Sequence, residues 1–477
     1  MRRLVAGVDS STQSCKVVVV DATTGEVVRE GRAPHPDATV VDPEVWWQAF
    51  LAAVRDAGGI EDVAAISVSG QQHTPVFLDD TGRVVRDSPL WNDTASHPQV
   101  VALNEELGFE EWVRRTGLPI TLSDTVAKLR WLRDNEPENA RRTAAVAVVH
   151  DWLTWRLRGG GPGALGVEAL TTDRSDASGT GYWSGETEDY CRDLVELALG
   201  HQVHLPRVLG PWDASGVTAA GIPGVPSGIP VGAGTGDNAA AALALGLEVG
   251  DAVMSLGTSG VVYSRSATPV HDYSGVVCSY ADGTGDHQPL GATLNAARIL
   301  DATARLLRCS HAELAEAALA ASPGSEGVTM LPYFEGERTP DLPDARASIH
   351  GLSLRNSTRE NLARAAVEGM LAGQLVLLDA IRACGVPVRR LLLIGGAARS
   401  AAVQVVLSQM VDVPLLVPEP REYVAVGAAF QAATVLTGEQ PTWDAVVSHV
   451  PEAPLEPVIV AQQLAAKRAL GYPVVRL

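Results

Sequence analysis

The stretch Leu4–Val20, LVAGVDSSTQSCKVVVV, decides the fold. Two short β-branched runs, Leu4–Val8 and Lys16–Val20, flank the polar turn Asp9–Ser14 (DSSTQS), which predicts a hairpin of buried strands. The arrangement recurs once, where Ala252–Leu256 and Gly260–Tyr263 flank the turn Leu256–Gly260 (LGTSG). Further strands are expected at Val63–Ser69, Ala144–Val149 and Arg390–Ile394, and helices at Glu44–Asp56, Ala95–Glu106, Val126–Asn135 and Arg359–Cys384. Strands mixed with crossover helices predict layered α/β architecture. Residues 211–236 are rich in Gly and Pro, so two domains of similar design are expected to meet within 215–246, with 1–245 as the first and 246–477 as the second. The tail after about residue 457 reads as a helix able to pack back on either domain, and the first is expected.

Composition narrows the function classes. The 477 residues carry 37 basic and 56 acidic side chains, a formal charge of −19, which repels phosphate backbones and anionic lipid, so neither nucleic acid nor membrane is an expected partner. The hydrophobic share of 46% excludes disorder as the main state. Cys15, Cys191, Cys278, Cys309 and Cys384 are odd in number and form no CxxC pair, which argues against a disulfide framework or a zinc knuckle. The first apolar stretch meets Asp9 too early for a signal peptide, and a cytoplasmic location is expected.

Turns built from Gly, Ser and Thr present N–H and hydroxyl groups without bulk, as polyphosphate oxygens require. Both hairpin turns have that composition, although either alone also fits a plain turn. Asp9 closes the first strand, where a carboxylate can hold Mg²⁺ directly or through water. There is no GxxxxGK[ST], which excludes a Walker P-loop. In Leu391–Ser400, LLLIGGAARS, a buried strand enters paired glycines, Gly395 and Gly396, that allow a flat ligand close to the backbone. In GTGDNAAAALALGL, Asp237 and Asn238 open a small-residue helix at the expected domain boundary. Asp237 there is either a plain cap or a base for a substrate hydroxyl.

With these features on one chain, the sequence resembles the FGGY carbohydrate kinases. The segments Ser123–Asn135 (SDTVAKLRWLRDN) and Ala347–Glu368 (ASIHGLSLRNSTRENLARAAVE) fit the two family signatures. SGQQH (Ser69–His73), PLWND (Pro89–Asp93), TTDRSDASGTGYW (Thr171–Trp183), SLGTSG (Ser255–Gly260) and PYFEGERTP (Pro332–Pro340) are similar to its xylulose-phosphorylating members. The resemblance covers almost the whole chain. It implies a two-domain sugar-kinase/actin-like ATPase (ribonuclease H-like) α/β fold with a central cleft, ATP and Mg²⁺ as cofactors, and transfer to D-xylulose giving D-xylulose 5-phosphate. A homodimer is compatible with it. It also implies roles. Asp237 resembles the general base and Asp9 the Mg²⁺-side carboxylate. Gln72, His73, Trp91, Asn92, Asp93 and Asn238 resemble the substrate contacts, and Ser11, Thr12, Gly257, Thr258, Gly395, Gly396, Ala397 and Ser400 the nucleotide contacts. Gln72 stands where some relatives carry Met, Thr74 where Gly is usual, and Ala397 where many members carry Gly.

Three alternatives stay open at this point. One is a kinase for another ketose or polyol, such as L-xylulose or ribulose. Another is an actin-like ATPase with no sugar acceptor. The third is a sugar-binding regulator without catalysis, against which Asp9 and Asp237 together speak. Blander roles are expected elsewhere: Trp46, Trp47, Trp152 and Trp155 as core, and His35, His97, His150, His201 and His204 as surface or core without metal-ligand spacing. For Lys16 a structural role and a phosphate contact weigh equally. The polar stretch 171–183 is expected to hold a loop by side-chain-to-backbone bonds, and Glu337 and Arg338 have no derivable role.

Overall fold

The computed structural model describes residues 3–443 and 445–473. They form two compact units. The first runs from the N-terminus to Gly246 and is completed by Ser279–Gln288 and Arg421–Ala445. The second comprises Leu247–Cys278, Pro289–Pro420 and the chain from Val446 onward.

In the first unit the expected hairpin is present as β1 (Leu4–Ser10) and β2 (Ser14–Asp21), followed by β3 (Val27–Pro34). The helix Glu44–Asp56 leads to β4 (Val63–Gly70), which runs parallel to β1. β5 (Ala214–Val217), β6 (Pro230–Gly232) and β7 (Thr235–Gly236) complete a mixed sheet of order β5-β6-β4-β1-β2-β3, with β7 pairing β4 beyond β6. Valine-rich β1 and β2 are buried on both faces, which is why they read as continuous apolar runs. Ala6, Val8, Val17 and Val19 face Trp46, Phe50 and Trp152, while Val5, Val18 and Val20 face the helix Tyr423–Thr437. Each such valine contributes about 1.5–3 kcal/mol by leaving water. The helix lies so close that a Cβ on Gly7 would stand 1.9 Å from the Ala425 carbonyl oxygen, and one on Gly427 would stand 1.8 Å from that of Ala240. Small residues at these contacts therefore let the helix Tyr423–Thr437 sit close on β1 through Gly7 and on the helix Asp237–Leu245 through Gly427.

The second unit repeats the plan. β8 (Asp251–Leu256) and β9 (Gly260–Ser264) form the second hairpin, β10 (His287–Thr293) pairs β9 through Leu290–Thr293, and β11 (Arg390–Ile394) runs parallel to β8. β12 (Leu415–Pro418) and β13 (Val447–His449) extend the sheet in the order β10-β9-β8-β11-β12-β13. The long helix spans Arg359–Ala383, as its apolar period predicts.

Some boundaries differ from expectation. The strand expected over Ala144–Val149 is only Ala145–Ala147, because Val149 already opens the helix Val149–Leu157, whose Asp151 carboxylate accepts the Val148 N–H at 2.9 Å. The helix expected from Ala95 begins at His97, with Pro98 in its first turn, where its missing N–H costs nothing. The C-terminal helix, Pro457–Ala469, packs within the second unit rather than on the first. It buries Ile459 and Ala466, and Gln463 donates to the Met330 carbonyl at 3.2 Å. Among the described residues no helix is long and apolar enough to cross a membrane.

Candidate active site

Ligands of open α/β sheets gather at the carboxyl ends of parallel strands. In the first unit β1 ends on Asp9 and Ser10, β4 runs through Gly70 into Gln72 and His73, and β7 runs through Gly236 into Asp237. The registers Asp9↔Ser69 and Gly236↔Gly70 bring these three exits side by side.

Asp9 is 1% exposed. It accepts a short bond from the Ser11 hydroxyl, and the Lys16 ammonium stands 3.5 Å from its other oxygen. Burial pushes its carboxyl above the usual range, with Lys16 opposing. Lys16 also reaches Glu422 at 2.6 Å, so in the first unit it bridges two carboxylates. Burial depresses its pKa, but the two carboxylates hold the group above its ordinary value. Thr12 donates to Gln71 Oε1 at 3.3 Å and accepts the Trp91 indole N–H at 2.8 Å. Gln71 was missed by sequence reasoning. The only signal for it was the doubled glutamine in SGQQH, of which one had to turn toward the phosphate-type turn.

Asp237 begins its helix half-buried, and the Asn238 backbone N–H (2.7 Å) and side-chain amide (2.9 Å) both donate to its Oδ1. Burial, reinforced by the charge of Asp9, pushes Asp237 up to about 7. A carboxylate so placed is a stronger base than a free one, with its proton affinity near neutral pH. Asn238 gives its carbonyl to Gln288 at 3.1 Å.

The short helix Arg174–Ser178 sits under the other candidates. Gln72 Nε2 donates to the Ser175 carbonyl at 3.1 Å, and His73 Nδ1 donates to the Gly179 carbonyl at 2.6 Å. His73 holds φ +69°, a backbone conformation rarely adopted without cause. Its ring also faces Asp124 (3.5 Å), from the first family signature, and the Tyr280 ring (5.8 Å between centroids), which no sequence motif announces. The expected loop-holding role of 171–183 is thus visible: the Asp173 carboxylate caps this helix through the N–H groups of Ser175 and Asp176.

Trp91 is tied to the turn after β1, but Asn92 is exposed, and Asp93 spends its carboxylate on Thr39 (3.1 Å) and the Ala95 N–H (3.0 Å). Lys128, from the first family signature, is a buried brace donating to the carbonyls of Leu122 and Ser123. Burial takes it down to about 7. His150 proves to be a core residue with neighbours of note. Its Nδ1 bonds Asp176 and its Nε2 stands 3.2 Å from Asp151, and His150, Asp173 and Asp176 form a buried group whose ligand-type atoms lie within 4.8 Å of one another. With both nitrogens facing carboxylates, the imidazolium itself is the cation there.

In the second unit, Gly257 and Thr258 lie in the turn after β8, and the Gly257 carbonyl accepts the Ala297 N–H at 2.9 Å. Gly395 leaves β11 at φ +94°, and a Cβ there would stand 2.6 Å from the Leu256 carbonyl oxygen. Beyond it a cavity of about 520 Å³ is lined by Gly396, Ala397, Ser400, Ala297, Leu300 and His311. Its mostly apolar wall suits a flat heteroaromatic base. The pair His311–Asp301, 3.0 Å apart on its rim, carried no sequence signal. Glu337 is buried and accepts the N–H groups of Leu294 (2.6 Å) and Arg338 (2.8 Å) and the Asn295 amide (3.0 Å), so it fixes the exit of β10.

The FGGY carbohydrate-kinase N-terminal domain matches residues 4–244, and the C-terminal domain of that family matches residues 252–436. Xylulose kinase of Streptomyces coelicolor is 44% identical over 91% of this chain and 89% of its own length, and that of Streptomyces rubiginosus is 43% identical over 94% and 92%. The crystal structure of xylulose kinase from Bifidobacterium adolescentis superposes with a TM-score of 0.91 at 45% identity, covering 98% of this chain and 99% of that one. With both halves of the family pattern present in order, and with relatives this similar over nearly their whole length, the chain belongs to the FGGY family of carbohydrate kinases.

Proposed function

We propose that this carbohydrate kinase phosphorylates D-xylulose, with Asp237 as the general base that takes the proton of the sugar's terminal hydroxyl as its oxygen attacks the γ-phosphorus of ATP. The observation that carries the reading is the convergence of Asp9, Gln72, His73 and Asp237 on three adjacent strand exits, in a chain 43–45% identical to proteins named xylulose kinase. Phosphoryl transfer asks a protein chiefly for alignment and charge compensation. Asn238 pins one oxygen of Asp237, which fixes the direction of the carboxylate. His73, held by its bond to Gly179, and Trp91, held by its indole bond to Thr12, would contact the sugar.

The donor set at Asp9 fits Mg²⁺, a hard ion that takes one or two carboxylates and keeps several waters. Asp9 would hold it, directly or through water, and the ion would neutralise phosphate charge. Within the second unit the turn Leu256–Gly260 would donate N–H and hydroxyl groups to phosphate oxygens, and the cavity at Gly396 would take the base. The reaction is assigned to the cytoplasm, where ATP is supplied, with a homodimer as the assembly to be read by light scattering. ADP release measured across D-xylulose, L-xylulose, ribulose, glycerol and gluconate tests the substrate. The expected result is the highest kcat/KM on D-xylulose, and a clear preference for any other acceptor overturns that choice.

A further inference from the structure

Beneath the strand exits lies a residue that no motif assigns to the reaction. Ser175 is 0% exposed, and its hydroxyl is saturated. It donates to Asp173 Oδ2 at 2.6 Å, accepts the Gly236 N–H at 2.9 Å, and stands 3.1 Å from the Thr235 hydroxyl. A hydroxyl has one hydrogen and two lone pairs. With the hydrogen committed to Asp173, both lone pairs turn toward β7, one taking Gly236 and the other Thr235.

The Ser175 main chain acts on the same region. Its carbonyl takes Gln72 Nε2, and the Gln72 side chain lies against Gly236, where a Cβ would come within 2.7 Å of Nε2. Gly236 is the residue before the helix Asp237–Leu245 and has no side chain with which to cap it. Its peptide direction is therefore set from outside, by the pairing of β7 with β4 and by the Ser175 hydroxyl that takes its N–H. Ser175 is held in turn. Asp173 accepts its N–H at 2.8 Å as well as its hydroxyl, and His150 faces both Asp173 and Asp176 from the core. The chain of support runs from the Asp173 carboxylate, which a buried imidazole faces, to one hydroxyl, and from there to the peptide that carries Asp237.

We infer that Ser175 is a positioning residue for phosphoryl transfer, its hydroxyl fixing the Thr235–Gly236 peptides from which the Asp237 carboxylate projects and its carbonyl fixing Gln72. The inference rests on the proposed role of Asp237. Removing the hydroxyl takes the acceptor from the buried Gly236 N–H and leaves Asp173 Oδ2 with the Ser175 N–H alone, and relaxation of those groups moves the base relative to the acceptor oxygen. A displacement of about 1 Å at a reacting centre can cost about 100-fold in rate.

The test compares the wild-type enzyme, Ser175→Ala and Ser175→Cys on D-xylulose. The cysteine keeps the side chain's place but is a weak donor and acceptor. For each protein, kcat, the KM for ATP, the ratio of sugar phosphate formed to ADP released, and the melting temperature are measured. The expected result is a kcat about 10–100-fold lower for S175A and intermediate for S175C. The ATP KM should stay within about twofold, and the ratio should fall below one as water competes for a γ-phosphoryl group no longer matched to its acceptor. A kcat within about twofold of wild type in both variants overturns the inference, as does a kcat that falls with the ratio fixed at one, since general loosening lowers all turnover alike. If S175A does not fold, S175C decides by the same criteria. Failure of the underlying reading looks different: Asp237→Asn then retains turnover, or wild type ignores D-xylulose whatever stands at position 175.

Discussion

In the first unit the turn after β1 follows Asp9, β4 runs into Gln72 and His73, and β7 runs into Asp237. In the second unit the turn after β8 carries Gly257 and Thr258, and β11 runs into Gly395 and Gly396. Both exits follow the same hairpin and parallel-strand plan, yet one is loaded with titratable side chains and the other is stripped nearly to backbone. The difference matches a division of labour. Acid–base work needs a carboxylate whose proton affinity is raised by burial, whereas cradling a nucleotide needs N–H groups that no side chain obstructs. On the proposed assignment, a repeated plan supports two chemistries by changing a few residues at strand ends.

The severest way to break this contrast is Asp237→Asn. The amide keeps the shape and removes the base, and general-base catalysis is commonly worth about 10²–10⁴-fold. We expect kcat for D-xylulose to fall by that order while ATP binding, read by nucleotide fluorescence titration, is unchanged. A loss confined to nucleotide affinity would reverse the assignment of the two units.

The complementary change in the second unit is Gly395→Ala. The position has φ +94° and a carbonyl oxygen 2.6 Å from the would-be Cβ, so the methyl group strains the backbone and forces β8 and β11 apart. A strained residue of this kind costs about 1–3 kcal/mol. The expected outcome is a lower melting temperature and an ATP KM raised roughly tenfold, with the sugar KM little affected. Equal damage to both substrates would mean that the glycine serves general stability rather than the nucleotide.

Much of this contrast was legible in the chain itself. The hairpins announced themselves because β1, β2, β8 and β9 are buried on both faces and are therefore unbroken apolar runs. The glycines at 395 and 396 and the acid at 237 stood out because their neighbours are apolar or small. Other parts of the site had no local signal. Ser175 and His150 act through bonds to residues about 60 positions later and 26 positions later, respectively, and such pairings follow from sheet register rather than local pattern. Tyr280 lies in a ten-residue return to the first unit, which no linear division at 245 or 246 could place there. Asp93 is the opposite lesson. Its place in PLWND suggested a ligand contact, and the structure adds a local role that the motif did not announce: an aspartate two residues before an open N–H satisfies that N–H.

A gentler probe of the first unit is pH. Asp237 lies near about 7, through burial first and the charge of Asp9 second, and only its ionised form can accept a proton. The kcat/KM for D-xylulose should therefore rise with pH through that value and be about tenfold lower at pH 6 than at pH 8. The stability effect has the opposite sense. A carboxyl whose folded pKa is raised favours the folded state at low pH and loses that contribution as pH climbs from the unfolded value, 3.8, to about 7. Asp237→Asn should accordingly melt higher than wild type above pH 7, by an amount that its partial exposure to solvent keeps small. An acid limb below pH 5 would return Asp237 to an ordinary carboxylate and remove burial from the explanation.

The smallest expected effect is the sharpest control on the second unit. Gly396 adjoins Gly395 and lines the same cavity, but its φ is unremarkable and a Cβ on it would meet nothing within 4 Å. Gly396→Ala therefore adds a methyl group to open space instead of to a carbonyl. Folding should be untouched, and the only change should be a shift of about two- to threefold in ATP KM, as the methyl narrows the room for the base. Paired with Gly395→Ala, it separates two reasons for a glycine at a strand exit: the backbone angle at 395 and the clearance at 396. If the two substitutions proved equally damaging, clearance for the ligand would govern both positions, and the strained exit of β11 would be incidental to nucleotide binding.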